Sequence, residues 1–437
     1  MPATLRAVSL FSNCGAGDLG FRQAGFRFSV LAEIDPRRLA VASLNHPEAA
    51  TVAGDLSTTW CLVRDRYREQ HGEAPLDLLA ACPPCQGMSS ARSGRGLGLD
   101  PEAGTRDSRN LLVVPIAKVA HALNPRVIVV ENVSAFLSRL VRNPATQEPV
   151  TAALLLIRAL DPQYDVFPTL IDMADYGVPQ HRRRCFLTFV RRDEKYLTAL
   201  RESERAPYPR PSRGGKRPHI TLERAIRRMA LESLDAKSPR KAKSHRRPMH
   251  EVPVWDRRRY DMVAAIPARS GKSAWENDRC PSCDFVETDG ETAVCGKCGQ
   301  MLLRPCVRDG RGWRLIRGFR STSYRRMNPR NPASTVTTAT GHLGSDVTLH
   351  PWENRVLSSL ECADLQTIPR SFRWGNTYAD YGHTFVREMI GEAVPPHFTQ
   401  RHGVILAKML RGVIDRSFLR GDDQRCTSAE DKLAIHS

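Results

Sequence analysis

Long apolar runs are absent from this chain of 437 residues. None approaches the ~20 consecutive apolar residues that a membrane-spanning helix needs, and residues 1–10 lack the pattern of a secretory signal peptide. These absences predict a cytoplasmic protein with no membrane partner. In that reducing compartment the twelve cysteines are expected to be thiols or metal ligands, and not disulfides. The length allows two domains and a sizeable core.

Acidic residues are scarce in one part of the chain. Residues 201–330 hold 31 of the 65 Lys and Arg but only 15 of the 47 Asp and Glu, whereas the other residues are nearly neutral, with 34 against 32. One segment therefore carries almost all of the net charge of +18. Such a segment favours a polyanionic partner, although a solvated basic insert would have the same composition. Residues 235–248 within it show no core pattern and are expected to be flexible.

A cysteine follows a predicted buried strand at residues 76–80. The sequence Cys-Pro-Pro-Cys at 82–85 comes next, and its two prolines end the strand and stiffen the turn. Cys85 is thereby placed beyond the carboxyl end of a strand, where open α/β sheets bind ligands. The residues alone leave three interpretations open: a buried structural thiol, a redox pair with Cys82, or a nucleophilic thiolate.

A glycine-rich turn follows the first predicted strand, at residues 7–11. The turn at 12–21 opens a helix, which is the context that a nucleotide-type site requires. The next predicted strand ends in Glu33, an acid about 20 positions further on that is placed to contact ribose hydroxyls. A plain α/β turn with an exposed acid is the alternative.

A second carboxylate ends the β-branched run at 126–130, which predicts a buried parallel strand. A carboxylate at the end of a buried strand is poorly placed for stability and well placed for chemistry. The alternative interpretation is that Glu131 is an acidic residue at the N-terminus of a helix. Further along, the three arginines at 182–184 precede a predicted strand at 185–190. Basic triplets of this kind are usually solvated.

In chain order, these motifs resemble those of the DNA (cytosine-5-)-methyltransferase family of the bacterial type. The resemblance covers residues 1–200 and 331–410 and rests on Pro-Cys-Gln-Gly at 84–87, Glu-Asn-Val at 131–133, Gln-x-Arg-x-Arg at 180–184 and the segments 355–369 and 391–396. It implies an α/β fold: a doubly wound, mainly parallel Rossmann-like methyltransferase sheet with a second, smaller, irregular zinc-containing domain.

The resemblance also implies site residues. Cys85 would be the nucleophile, and Glu131 would support its attack by hydrogen-bonding or protonating ring nitrogen 3 of the base. Arg182 would orient the active-site loop, and Arg184 would contact the flipped base. The co-substrate would be S-adenosyl-L-methionine, with Glu33 on the ribose, Ile34 over the adenine and Asp55 at its amine. The full predicted set for the co-substrate is Phe11, Asn13, Cys14, Gly15, Gly17, Glu33, Ile34, Asp55, Leu56 and Glu392.

This chain departs from the family pattern at two of those positions. The family usually has glycine where this chain has Asn13, and asparagine tolerates a left-handed backbone better than most residues. It usually has asparagine where this chain has Glu392, which would meet the methionine ammonium if it reaches the co-substrate.

Two Cys-x-x-Cys knuckles separated by eleven residues form a zinc-ribbon pattern. Four thiolates make a closed tetrahedral shell, so one structural Zn²⁺ is predicted, and four unmetallated thiols are the alternative. The metal would hold together an insert with few apolar residues. The predicted ligands are Cys280, Cys283, Cys295 and Cys298.

The expected organisation is a catalytic domain at 1–200 and 331–425, a basic target-recognition domain at 201–330 with the zinc ribbon at 280–298, and a frayed tail at 426–437. The expected function is methylation of carbon 5 of cytosine at a specific sequence in double-stranded DNA, with a flipped-out base held covalently by Cys85. We expect a nucleoid-associated bacterial monomer that works with cognate restriction or defence-system proteins. An RNA (tRNA-like) cytosine-5 methyltransferase and an inactive DNA-binding relative are the alternatives, and the large insert favours DNA.

Overall fold

The computed structural model describes residues 4–84, 107–203, 205–310, 312–316, 321–413 and 419–421. The predicted nucleophile Cys85 and the predicted tail at 426–437 lie outside the described residues. Along the described chain, none of the helices combines the length and apolar content that crossing a bilayer requires.

A seven-stranded sheet forms the centre of the fold, in the order β3-β2-β1-β4-β5-β9-β8. Strands from β3 to β5 pair in parallel, and β9 runs antiparallel between β5 and β8. Three two-stranded pairs, β6-β7, β10-β13 and β11-β12, lie outside it. The strands are β1 (Leu5–Leu10), β2 (Phe26–Glu33), β3 (Ala50–Ala53), β4 (Leu78–Ala81), β5 (Val127–Asn132), β6 (Leu140–Arg142), β7 (Pro149–Thr151), β8 (Tyr164–Asp172), β9 (Arg183–Arg191), β10 (Arg205–Pro209), β11 (Cys306–Asp309), β12 (Gly312–Leu315) and β13 (Leu419–Gly421).

Helices cover both faces of the sheet, because its central strands are apolar on both sides. Every residue of β4 and β5 is buried, as parallel strands require. The helices are α1 (Ala16–Gln23), α2 (Pro36–Asn45), α3 (Leu56–His71), α4 (Val113–Leu123), α5 (Ala152–Leu160), α6 (Lys195–Glu202), α7 (Leu222–Met229), α8 (Arg257–Ala264), α9 (Ser359–Leu365), α10 (Thr377–Glu392) and α11 (Pro396–Leu410). Helices α3, α4 and α5 pack on one face, and α1, α2, α6 and α11 pack on the other. The predicted mainly parallel, doubly wound sheet is confirmed.

Helix α11 brings the end of the chain back to its beginning. Thr399 donates a hydrogen bond from Oγ1 to the carbonyl of Gly17 in α1 at 2.7 Å. A Cβ on Gly20 would lie only 2.0 Å from Thr399 Oγ1, so the two helices touch through a glycine. The segment that follows the basic insert therefore completes the same layer as α1.

The basic insert contains short elements around small apolar clusters. The prediction that residues 235–248 are flexible is wrong, because Ala236 and Ala242 are buried with Trp255, and the Trp255 backbone N–H donates to the carbonyl of Ala236. Tertiary contacts order this stretch without any sequence periodicity. Helix α7, by contrast, shares a cluster with Cys14 and Val41 of the sheet domain. The predicted domain boundaries stay a proposal.

Candidate active site

The strand order reverses between β1 and β4, which makes their carboxyl ends the switch point of the sheet. Ligands of open α/β sheets bind in the crevice at that point. The loop after β1 begins with Phe11 and Asn13, both with a positive φ, of 56° and 50°. The loop after β4 runs through Cys82 and Pro84 towards Cys85. Two loops that the sequence predicts as functional therefore leave the sheet side by side.

Strand β5 holds the second of these loops. Asn132 Nδ2 donates a hydrogen bond to the carbonyl of Pro83 at 3.0 Å, and Asn132 Oδ1 accepts one from the Val133 backbone N–H at 2.8 Å. Asn132 is buried. The residue beside Glu131 thus anchors the chain two positions before Cys85. Sequence reasoning did not single out Asn132, although it lies within the Glu-Asn-Val motif.

Glu131 and Arg184 meet across the β5–β9 pair. The antiparallel register places Glu131 opposite Phe186, and Arg184 Nε lies 3.2 Å from Glu131 Oε1. Both side chains are largely buried. The two residues predicted to contact the base are therefore neighbours with opposite charge.

Cys82 is a partly buried thiol that packs against the apolar cluster on one face of the sheet. Burial raises its pKa well above the usual range, and the negative charges of Glu131 and Asp18 add to the shift. Reactive cysteines need the opposite, since the thiolate is the nucleophile. This surrounding disfavours a redox pair between Cys82 and Cys85.

Arg182 ties the sheet to the returning segment. Its side chain is 1% exposed, and it donates to the carbonyl of Val336 at 3.0 Å and to that of Gly391 at 2.9 Å. Its backbone N–H donates to Asp172 Oδ1 at 3.1 Å. Arg182 thus holds the start of β9 to two segments that follow the basic insert, and its predicted contact with the active-site loop stays a prediction.

Glu33 holds the glycine-rich loop in place. Its Oε2 accepts a hydrogen bond from the Asn13 backbone N–H at 2.8 Å, and its Oε1 accepts one from the Ile34 backbone N–H at 3.0 Å. Burial raises the pKa of the Glu33 carboxyl above its usual range, while backbone N–H groups lower it. Ile34 next to it is 65% exposed. An apolar side chain and a carboxylate thus stand together where the sequence predicts the nucleoside.

The other predicted co-substrate residues are distributed around the same strand ends. Asp55 caps α3 by accepting from the Ser57 backbone N–H at 2.9 Å, and Leu56 is buried. Gly15 precedes α1 in a left-handed conformation with a φ of 74°, and Gly17 lies in α1. Cys14 is fully buried, which raises its pKa to about 12.

The two departures from the family pattern lie at one junction. Asn13 Nδ2 donates to the carbonyl of Met389 in α10 at 2.9 Å. Glu392, at the end of α10, forms an ion pair with Arg38 of α2, and Arg38 Nη2 lies 3.7 Å from Glu388. The charge of the Glu392 carboxylate is therefore balanced by Arg38 of this chain. The sequence prediction considered only the methionine ammonium as its cationic partner. Arg38 was missed in the sequence because its partner is 354 residues away.

The four predicted metal ligands come together in the insert. Their sulfur atoms all lie within 4.8 Å of one another, with Cys280 and Cys298 at 3.5 Å and Cys283 and Cys295 at 3.7 Å. Four sulfur donors at these distances suit a closed tetrahedral site. Cys306 lies outside the cluster and accepts a hydrogen bond from Arg258.

Beside this cluster, the β11–β12 hairpin carries an exposed basic and aromatic surface. Arg308 and Trp313 are opposite one another in the ladder, so their side chains share a face. The Arg258 guanidinium lies 6.0 Å from the Trp313 ring, and Trp313 is 42% exposed. Large exposed aromatics flanked by arginines suit nucleic-acid contacts.

The fold and the loops at its switch point define a methyltransferase-like α/β protein. Residues 5–405 match the family model of the C-5 cytosine-specific DNA methylases. The chain therefore belongs to this family, and is by family a DNA cytosine methyltransferase.

Individual relatives agree in class. The chain is 24% identical over 405 residues to the type II methyltransferase M1.HgaI of Avibacterium volantium, covering 91% of this chain and 96% of that relative. It is 31% identical over 190 residues to M.NgoPII of Neisseria gonorrhoeae, covering 43% of this chain and 49% of that relative. The match thus spans about half the length of the second protein and nearly all of the first.

Solved structures share the fold. The S. pombe Dnmt2 methyltransferase matches with a TM-score of 0.50 and 13% identity, over 93% of this chain and 98% of that one. A prophage-encoded E. coli protein described as a DNA modification methyltransferase matches with a TM-score of 0.53 and 21% identity, over 93% and 99%. At these identities the likeness concerns the fold.

Proposed function

We propose that this protein transfers a methyl group from S-adenosyl-L-methionine to carbon 5 of cytosine at a specific site in double-stranded DNA. The observation that carries the proposal is the Glu131–Arg184 pair, 3.2 Å apart, beside the loop that Asn132 anchors. Family membership gives the reaction class, and the geometry of these residues supports the roles proposed for them. The relatives named above are type II methyltransferases, which favours a modification enzyme that works with a cognate restriction enzyme.

The chemistry explains why these residue types are needed. Cytosine carbon 5 is a weak nucleophile, so the Cys85 thiolate adds to carbon 6 and forms a C–S bond that pushes electrons towards carbon 5. The pKa of a free cysteine is about 8.5, so positively charged surroundings must favour the thiolate of Cys85. Carbon 5 bonds to the electrophilic methyl group of S-adenosyl-L-methionine, and the S–CH3 bond breaks to leave S-adenosyl-L-homocysteine. A base, proposed to be a water molecule, then takes the carbon-5 proton, which breaks the C–S bond, releases the Cys85 thiolate and restores the ring.

Glu131 and Arg184 act on the base during that addition. Glu131 hydrogen-bonds or protonates ring nitrogen 3, where charge develops, which is electrostatic stabilisation of the transition state. Arg184 donates to the base oxygen, and its ion pair with Glu131 keeps both groups aimed at one ring. The reacting atoms are inaccessible in a stacked duplex, so the base is flipped out.

The crevice residues fit the co-substrate. Glu33 keeps carboxylate lone pairs beyond the backbone hydrogen bonds it accepts, and these suit ribose hydroxyls. Exposed Ile34 offers an apolar surface for the adenine ring, and Asp55, the N-cap residue of α3, is the residue proposed to accept a hydrogen bond from the adenine amine. The other proposed residues follow these strands along the chain, in the loop after β1 and at the starts of α1 and α3: Phe11, Cys14, Gly15, Gly17 and Leu56.

The insert is proposed to read the DNA. One Zn²⁺ held by the four clustered thiolates would be structural, since a shell of four protein ligands leaves no open position. The insert is strongly basic, which suits phosphate contacts, and the β11–β12 pair is a two-stranded ribbon, an element that the major groove of DNA admits. We place the protein in the bacterial cytoplasm at the nucleoid, as a monomer.

The decisive experiment replaces Cys85. Bisulfite sequencing of DNA from cells that express the protein should show one methylated sequence, and Cys85→Ser should abolish it while leaving DNA binding intact. Cys82→Ala is the matched control and should keep considerable activity, because Cys82 packs as a neutral thiol. Turnover by Cys85→Ser, or methylation of RNA alone, would overturn the proposal.

A further inference from the structure

A cavity of about 740 Å³ lies between α7, the segment after β10, the loop after α9 and the start of α11. Its size is that of a small-ligand pocket, which typically spans about 300–1,000 Å³. Tyr176, Gly177 and Pro179 form part of its wall and directly precede the Gln-x-Arg-x-Arg motif. Five arginines also line it: Arg213, Arg217, Arg228, Arg370 and Arg401.

These arginines are poorly balanced by acids. Asp364 is the one carboxylate among the residues that line the cavity, and it pairs with Arg370 at 2.7 Å. Nearby Asp175 does not line the cavity, and its Oδ1 is already hydrogen-bonded to His219 at 2.8 Å. The lining therefore carries about four uncompensated positive charges on the residues described.

The two half-buried arginines of the lining, Arg401 and Arg213, have neutral hydrogen-bond partners. Arg401 donates to Ser212 Oγ at 2.9 Å and to the carbonyl of Arg210 at 3.3 Å, and Arg213 donates to the carbonyl of Pro218 at 3.4 Å. The pKa of Arg401 is lowered because the group is buried, and the positive charge of Arg213 acts in the same direction. Arg217 and Arg228 stand exposed at the rim.

Like charges that converge on an open cavity repel one another unless an anion lies between them. Guanidinium forks match phosphate oxygens with two parallel hydrogen bonds, and several forks around one space suit a ligand with more than one phosphate. We infer that this cavity, whose lining contains none of the residues assigned to methyl transfer, is a binding site for phosphate groups. The phosphates could come from the DNA backbone outside the target site or from a free polyphosphate such as a nucleotide.

The test uses the full chain and inorganic pyrophosphate. Isothermal titration at low salt should detect binding, and Arg228→Gln should weaken it roughly tenfold, the effect of one lost charge-assisted hydrogen bond. Arg217→Gln is a second rim variant. Arg224→Gln is the matched control, because Arg224 lies exposed on the same helix outside the cavity, and should bind pyrophosphate like the parent.

DNA binding separates the two sources. If the phosphates belong to DNA, pyrophosphate competes with duplex binding, and Arg228→Gln lowers the slope of log affinity against log salt by about one. If the ligand is a free polyphosphate, the parent protein binds pyrophosphate and the rim variants bind it more weakly, while the affinity for duplex DNA is unchanged. The inference would be overturned if Arg228→Gln and Arg217→Gln had the same affinity for pyrophosphate and for duplex DNA as the control Arg224→Gln. Neither measurement requires methyl transfer, so a failure here is distinct from a failure of the proposed function.

Discussion

Asn132 donates a hydrogen bond from Nδ2 to the carbonyl of Pro83 across the β4–β5 edge of the sheet, at 3.0 Å. This contact joins the strand that carries Glu131 to the loop that leads to Cys85. The hydrogen bond fixes the position of the loop that leads to Cys85 relative to the Glu131 carboxylate. The proposed reaction requires Cys85 and Glu131 to act on the same base.

We expect Asn132→Asp to slow methyl transfer with little effect on co-substrate binding. An aspartate has nearly the same shape but cannot donate to the Pro83 carbonyl, and a misplacement of about 1 Å near a reacting group can cost ~100-fold in rate. Single-turnover kinetics would measure the loss. Asn143→Asp, outside the crevice at the β6–β7 turn, should turn over normally. Equal rates for the two variants would rule out the anchoring role.

Glu131→Gln should lower the single-turnover rate by ~100- to 10,000-fold, the usual range for general acid–base groups. The amide can still hydrogen-bond to the base, but it cannot share a proton with ring nitrogen 3. S-adenosyl-L-methionine affinity, measured by calorimetry, should stay close to that of the parent protein. An unchanged rate would remove Glu131 from the mechanism.

Arg38 and Glu392 should show energetic coupling in a double-mutant cycle. Arg38→Gln and Glu392→Gln each break this ion pair, so each should destabilise the junction of α2 and α10 and weaken co-substrate binding. The double variant should recover part of the loss, with a coupling of about 0.5–3 kcal/mol. Thermal unfolding and co-substrate titration measure the two effects. Purely additive effects would show that the ion pair does not support the crevice.

Removing the proposed metal should impair recognition and spare the crevice. Cys280→Ser with Cys295→Ser should eliminate zinc from the reduced protein, as measured by elemental analysis, because two of four thiolates are lost. Specific DNA binding should fall, while S-adenosyl-L-methionine binding should persist. Cys306→Ser is the control and should keep the metal. If the reduced parent protein contains no zinc, the metal site is rejected. If a zinc-free variant keeps full sequence-specific activity, the role of the metal in DNA recognition is rejected.

Arg308→Ala should weaken binding to the target sequence by about 1–3 kcal/mol, the range for an arginine contact with a base, and should relax the sequence preference. Arg308 shares its face of the hairpin with Trp313, whereas Arg314 lies on the other face and pairs with Asp309 at 2.5 Å. Arg314→Ala therefore removes the same charge as a control. The same loss for both variants would indicate a general charge effect and not base contact.

Local sequence was sufficient for the sheet and for the position of its functional loops. The β-branched run at 126–130 and the apolar run at 76–80 predicted buried strands, which the structure has as β5 and β4. Because parallel strands in an α/β sheet align their carboxyl ends, Glu33, Glu131 and the loop before Cys85 were expected at one edge. The spacing of the four cysteines likewise sufficed to bring their sulfur atoms together.

Tertiary structure alone decided which distant residues share a contact. Arg38 and Glu392, the five arginines of the cavity, and the packing of Ala236 against Trp255 join segments with no local signal between them. Hydrogen bonds and ion pairs act over a few ångströms in space, whereas sequence patterns report only on neighbours along the chain. For that reason the strand ends could be predicted to carry the chemistry, while the partners that balance their charges emerged only once the chain was folded.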